Sequence, residues 1–339
     1  MRTEEFDYPL PEHQIAQTPV EPRDASRLLV LDRKSGSISH HRFREFPDLL
    51  APGDLLVMND TRVLPARLIG VKPTGGRAEA LLLRDLGGDR WEAMVFPGRR
   101  LDVGASILFG EGALEAEVVG RDPAGTRVLQ FRAKDSTDVP ALIHRLGEVP
   151  LPPYIHAPLA DRERYQTVYA RLEGSAAAPT AGLHFTPWIF DRLAERGVQI
   201  ATVTLHVGIA TFRPVKTEEI EQHDMHEEWY EVPEATAAAI AEAPGRIVAL
   251  GTTTVRTLES AAEGPRKVRP GAGRTRLYIT PGREFRVVDA LLTNFHMPRS
   301  SLLVLVAAFA GLDRVKAAYH QALESGYRFL SFGDAMLIL

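Results

Sequence analysis

Four histidines of this 339-residue chain stand at strand ends or at turns marked by proline or glycine. They are His184 in APTAGLHFTP (178–187), His206 in TVTLHVG, His226 in QHDMHEEW and His296 in LLTNFHMPRSS. An imidazole titrates near neutral pH, so at such a place it can take up or release a proton. In α/β folds the loops leaving strand ends are where ligands bind. The small residues around His184 and Phe185 allow close approach, so AAPTAGLHF reads as a site wall with His184 facing a ligand. The alternative for each histidine is packing in the core, with its ring nitrogens bonded to backbone.

Other segments offer different chemistry. VALGTTTVRTLE (248–259) is a strand, a glycine and then threonines opening a helix. The free N–H groups of such a helix start can hold a carboxylate or phosphate, although the pattern is neither Walker A nor G-x-G-x-x-G. NDTRVLPAR (59–67) and RDASR (23–27) pair arginines with an aspartate, which suits an anion site or a buried ion network. His223, His226 and Glu227 have the makings of a metal site, and a lone His-x-x-His is all that supports it. YIHAPLADRERYQTVYA (154–170) interleaves tyrosine with arginine, as base stacking and phosphate contact require, and a turn with an amphipathic helix reads the same way. Arg266, Lys267, Arg269, Arg274 and Arg276 form the densest basic run, in a Gly/Pro/Arg-rich linker (264–276).

These groups need a scaffold. SRLLVLDR (26–33), GDLLVMND (53–60), QIATVTLHV (199–207) and RIVAL (246–250) read as buried strands. TPWIFDRLAERG, VPEATAAAIAEAPG, TTTVRTLESAAEG and LDRVKAAYHQALESG read as helices, the first with a threonine cap and proline at its first position. Together they predict an α/β layer structure. Between about Arg67 and Phe131 the texture changes to short strands with no helix between them: RLIGV, AEALLL, WEAMVF, SILF, LEAEVV and RVLQF. That predicts a small antiparallel β-barrel inserted into the larger domain. The expected division is an α/β domain over 1–65 plus 150–339, with the barrel over 66–149.

Composition narrows the setting. There is no cysteine, which removes disulfides, thiolate nucleophiles and cysteine metal sites. The formal charge of −4 argues against a polybasic scaffold but leaves room for a local phosphate-binding patch. The acidic, proline-broken start is no signal peptide, and the longest apolar run (301–312) is too short to span a bilayer, so a cytoplasmic protein is expected.

DYPLPEHQIAQTPVEPRDASRLLV, GDLLVMNDTRVLPARLIG, GSAAAPTAGLHFT, TLHVGIATFRPV, GTTTVRTLE, LLTNFHMPRSSLLVLV and YRFLSFGDAMLI together resemble the S-adenosylmethionine:tRNA ribosyltransferase-isomerase family of queuosine biosynthesis. The resemblance runs from the first ten residues to the last ten and is weakest in the strand-rich insertion and in 264–276. Ala210 and Phe332 depart from it, standing where glycine and tyrosine are more frequent. It implies transfer of the ribosyl part of S-adenosylmethionine to 7-aminomethyl-7-deazaguanine at the tRNA wobble position. Isomerisation gives epoxyqueuosine, and adenine and methionine leave. S-adenosylmethionine is then a consumed substrate, and no cofactor or metal is expected. A sulfonium acidifies its C5′ hydrogens, so a modest base suffices; His184, His206 and Glu227 are the candidates for proton transfer. Substrate contacts fall to Arg23, Asn59, Asp60, Arg62, Thr180, Phe185, His226, Gly251, Thr252, Thr253, Asn294, His296 and Asp334. Tyr165, Gln166, Arg266, Lys267 and Arg269 are the candidates for tRNA contact, with Arg99 and Arg100 of the insertion as further phosphate candidates, and a monomer is expected. Two rival readings remain: a tRNA-binding protein without catalysis, and a metal-dependent hydrolase using His223, His226 and Glu227.

Overall fold

The computed structural model describes residues 1–122, 125–135, 138–208, 211 and 214–339; Ala210 lies outside them. The chain forms two compact units. One comprises Met1–Arg62, Pro152–Leu172 and Ala178–Leu339, the other Val63–Leu151 and Glu173–Ala177.

The larger unit is built on a nine-stranded sheet. Its order is Gly271–Thr275, Glu228–Val232, Gln199–Leu205, Leu55–Asn59, Ile247–Leu250, Ala290–Asn294, Ala335–Ile338, Arg27–Leu31 and Ile38–Arg42. The four strands from Gln199–Leu205 to Ala290–Asn294 run parallel. Strands Leu55–Asn59, Ile247–Leu250 and Ala290–Asn294 are buried at every residue. That is why they read as unbroken apolar runs without alternation: helices and turns cover both faces. The helices form where capping and burial agree. Thr186 accepts from the Ile189 amide at 3.4 Å to start Pro187–Glu195. Helix Leu312–Glu324 buries Val315, Ala318, Tyr319 and Ala322 on one face.

The smaller unit is a closed antiparallel barrel of six strands: Arg127–Ala133, Arg90–Phe96, Arg77–Gly87, Arg67–Val71, Ser106–Phe109 and Leu114–Arg121. Each contains one of the six short runs read from the sequence. The interior alternates small with large, Ala78, Ala80, Ala93 and Ala116 beside Leu68, Leu82, Phe109 and Phe131. Small side chains are what so narrow a barrel admits. Closure leaves it no free sheet edge.

Two segments depart from expectation. Residues 154–170 contain no amphipathic helix, only the 3₁₀ turn Arg162–Tyr165. The segment 264–276 is not a loose linker. It pairs Ala262–Gly264 with Lys267–Val268, then supplies Gly271–Thr275 as an edge strand beside Glu228–Val232. Gly273 lies under the Tyr230 ring, where an added Cβ would stand 2.8 Å from the ring carbon Cζ. The glycines that suggested low complexity thus let a strand fit beneath an aromatic neighbour.

Candidate active site

The topology gathers the chemistry-bearing residues at one edge of the large sheet. The four parallel strands all end there, delivering His206, Asn59–Thr61, Gly251–Thr253 and Asn294–His296. The strands antiparallel to them begin there, adding Glu227 and Glu228 on one side and Asp334 on the other. Strand Arg27–Leu31, parallel to Ala335–Ile338, is entered there through Arg23–Ser26. Adjacent strands lie about 4.8 Å apart, so neighbours in this row stand within reach of one small molecule.

His206 is the histidine with chemistry to spare. Its Nδ1 lies 2.8 Å from Thr61 Oγ1, and its ring stacks on Trp229 at 4.9 Å. The Thr61 hydroxyl donates to the Leu172 carbonyl, so it accepts from His206. That puts the imidazole proton on Nδ1 and the lone pair on Nε2, for which no partner stands among the described residues. Burial lowers the His206 pKa, opposed by the nearby Asp60 carboxylate. The ring is therefore neutral at pH 7 and able to accept a proton. Asp60 is itself buried and engaged: Oδ1 accepts from Thr204 at 2.6 Å and Oδ2 from Arg171 at 2.8 Å.

Next to it is the helix start. Gly251 has φ +86° and ψ 154°, a conformation almost restricted to glycine, and opens helix Thr252–Ala261. Its own amide bonds the Leu292 carbonyl and the first helical bond runs from the Val255 amide to Gly251 O, so the amides left for a ligand are those of Thr252, Thr253 and Thr254. Asn59 braces the place. It accepts from the Thr61 and Leu205 amides and donates to Leu205 O and Thr253 Oγ1. With all its groups satisfied, Asn59 fixes the positions of Thr61 and Thr253.

His184 has a different neighbourhood. It is 4% exposed, stacked on Phe43 at 4.9 Å, with Nδ1 2.8 Å from Ser26 Oγ and Nε2 3.4 Å from Asn294 Nδ2. Asn294 donates to Leu330 O and accepts from Thr180, which fixes its amide orientation and makes His184 Nε2 the acceptor. Burial, aided by Arg328 and Arg23, pushes the His184 pKa down to about 3. Phe185 is fully buried in the same aromatic cluster. His296 is likewise buried, bonded to Thr293 through Nε2, with its pKa lowered by burial to about 3. Arg23 donates to the carbonyls of Gln166, Leu183 and Glu163, so it clamps the turns 162–165 and 180–184 together. Asp334 accepts from the Arg27 and Arg328 amides, both at 2.8 Å, and burial raises its pKa against those bonds. Arg62 ion-pairs with Glu163 at 2.5 Å.

On the far side of His206 the inward carboxylate is Glu228. Glu227 is turned to the rim, 2.9 Å from Arg274 and 3.7 Å from Arg276. Glu228 is 6% exposed; it accepts from the Gly208 amide at 2.9 Å and pairs with Arg256. Arg256 is buried on the helix that Gly251 opens, and its Nη2 has no acceptor among the described residues. Neither Glu228 nor Arg256 was singled out from the sequence. The alternation in EWYEV, which places Glu228 with Tyr230 and Val232, was the available signal for the first. His226 is exposed, and among the described residues no group of three His, Asp or Glu side chains is placed to hold a metal ion.

The expected RNA-contacting residues are placed otherwise. Tyr165 is 0% and Gln166 3% exposed, so neither presents a surface to RNA. Tyr165 instead packs edge-on against Phe332 at 5.8 Å. Arg266 reaches the Gly245 carbonyl and Asp289, and Lys267 pairs with Glu263. Gly245 and Asp289 precede strands Ile247–Leu250 and Ala290–Asn294, so Arg266 lies at the sheet edge opposite His206. The Arg269 amide bonds Ala261 O in the same hairpin region. From the same basic run, Arg274 and Arg276 come to the His206 edge, where Thr275 pairs with Glu228.

The family profile described as queuosine biosynthesis protein matches residues 3–338. A protein of Moorella thermoacetica named S-adenosylmethionine:tRNA ribosyltransferase-isomerase is 57% identical, over 100% of both chains. One of the same name from Symbiobacterium thermophilum is 56% identical, again over 100% of both. The crystal structure of S-adenosylmethionine tRNA ribosyltransferase from Thermotoga maritima is 45% identical and covers 99% of this chain and 100% of that one, with a TM-score of 0.57.

Proposed function

The chain belongs to the S-adenosylmethionine:tRNA ribosyltransferase-isomerase family of queuosine biosynthesis, and on that premise we propose that it moves and isomerises the ribosyl group of S-adenosylmethionine onto tRNA. The acceptor is the aminomethyl group of 7-aminomethyl-7-deazaguanine at the wobble position. The products are epoxyqueuosine-tRNA, adenine and methionine. S-adenosylmethionine is consumed as a substrate, and the reaction needs no further cofactor. The enzyme acts as a monomer in the cytoplasm, with its tRNA.

The observation that carries the catalytic reading is the unspent lone pair of His206 beside an open helix start. His206 Nε2 takes a C5′ proton made acidic by the neighbouring sulfonium. Thr61 holds the tautomer that this requires, and Asp60 favours the imidazolium that forms. The Thr252 and Thr253 amides hold the methionine carboxylate. Arg256, one turn further along, offers its Nη2 to the same group. Glu227, on the rim, receives the proton shed by the attacking amine. His184 lines the site as a neutral ring, its orientation set by Ser26 and Asn294.

Incubation with precursor-bearing tRNA and S-adenosylmethionine is expected to yield the epoxyqueuosine nucleoside by mass analysis, with one free adenine per product. Binding of tRNA with S-adenosylmethionine left intact would favour the non-catalytic rival instead.

Gly251→Val tests the carboxylate site. A β-branched residue at this φ and ψ costs roughly 1–3 kcal/mol, so the helix start shifts. The expected result is S-adenosylmethionine affinity lowered roughly tenfold by calorimetry, with tRNA affinity unchanged. Equal losses of both would make Gly251 a structural turn only.

A further inference from the structure

One end of the barrel carries a surface that the proposed chemistry leaves unused. Phe96 closes its strand 70% exposed, and Val71 nearby is 45% exposed. Strand register sets Phe96 opposite Glu79 and Val71 opposite Arg77, so Arg77 lies one same-face step from the residue facing Phe96. Such diagonal neighbours are about 7–8 Å apart. Arg99 and Arg100 follow in the turn Gly98–Arg100, both exposed. Several other arginines of the barrel are paired: Arg67 with Glu79, Arg84 with Glu92, Arg121 with Asp102 and Arg132 with Glu117. Among the described residues, Arg77, Arg99 and Arg100 have no carboxylate partner.

The turn is held from within. Arg127, 4% exposed, donates Nε to Leu101 O and Nη2 to Gly98 O, both at 2.8 Å, and Nη1 to Gly125 O at 2.7 Å. Burying a guanidinium among carbonyls without a carboxylate is costly. The arrangement fixes a surface turn in one conformation and so lowers the ordering entropy of whatever binds it.

We propose that this end of the barrel contacts tRNA: Phe96 stacks on an unpaired base, and Arg77, Arg99 and Arg100 take backbone phosphates. An exposed ring flanked by unpaired guanidinium groups matches the alternation of bases and phosphates in a looped strand. An apolar protein surface would leave those charges buried without partners. The proposal rests on tRNA being the substrate.

The test uses the full chain with tRNA, binding measured by fluorescence anisotropy from 50 to 300 mM salt. Phe96→Ala is expected to weaken binding roughly tenfold, within the range for loss of one base–aromatic stack, and to leave the salt slope unchanged. Arg99→Ala with Arg100→Ala is expected to lower the slope of log K against log salt by about 1.4–1.8. These side chains are exposed, so thermal unfolding should match the parent chain and exclude misfolding as the cause. Parental affinity and slope in both variants would overturn the proposal. So would a change of oligomeric state in Phe96→Ala with tRNA binding intact, since the patch would then join two copies of this chain. If the parent chain binds tRNA and forms product while the variants bind like it, only this surface falls. If the parent chain neither binds tRNA nor forms product, the functional reading falls too.

Discussion

His206→Ala is expected to lower turnover by roughly 10²–10⁴-fold, the range for removing a positioned base, and to leave affinity for both proposed substrates nearly unchanged. The ring is half-buried and makes one side-chain hydrogen bond and one stack, so its loss spares the main core. The pH profile adds a test that a structural role would not meet. Burial lowers the His206 pKa below its ordinary value near 6.5. The proposed base is therefore already neutral at pH 7, and kcat/KM should be flat there, falling only as pH drops through the lowered pKa. In the variant that acid limb should disappear. If His206→Ala instead loses tRNA and S-adenosylmethionine binding in proportion to activity, the ring is a brace and the base lies elsewhere.

Acid is expected to destabilise this protein well above the carboxylate range. His184 and His296 are buried and neutral, each with its pKa lowered to about 3, against about 6.5 in the unfolded chain. Above pH 6.5 neither state holds the extra proton, and the stability of the neutral rings is fully present. Below it only the unfolded chain takes up protons, so each ring removes ~1.4 kcal/mol per pH unit until the folded pKa is reached. Between pH 6.5 and 5 the two together account for ~4 kcal/mol, a large share of a typical folding free energy. Urea unfolding at pH 7, 6 and 5 should show this loss, and His184→Gln or His296→Gln should each reduce the slope. A flat stability between pH 7 and 5 would mean that the rings are hydrated in the folded state.

Much of the fold was legible because it rests on periodicity and punctuation. LLVMN and IVAL are buried on both faces and read as such; the six barrel strands were marked off by Gly, Asp and Pro. The site was legible only to the level of segments. The sequence puts His206 at the end of a strand and His184 in a broken, turn-like stretch, but which ring keeps a free nitrogen depends on Thr61, Ser26 and Asn294, all distant in the chain. Glu227 and Glu228 are adjacent and identical in chemistry, and only strand alternation separates them. Tyr165 looked suited to RNA because tyrosine and arginine interleave there. Yet the arginine that orders this turn, Arg23, arrives from about 140 residues away to bond the carbonyls around it. The basic residues of 264–276 carried no mark of which sheet edge each would reach. Pairing with Glu228–Val232 decides that, and it is a tertiary fact.

Strand Ala335–Ile338 lies inside the sheet, between Ala290–Asn294 and Arg27–Leu31. During synthesis the chain emerges in order, so Arg27–Leu31 and Ile38–Arg42 are made early and wait as a two-stranded ribbon for a partner some 300 residues downstream. Until residue 338 has left the ribosome, the larger unit has two unsatisfied strand edges facing a missing seam. Loss of Ala335–Ile338 would therefore be far more damaging than four residues suggest, leaving apolar edges open to association with other chains. Dependence on chaperones should be greatest before Ala335–Ile338 has been made.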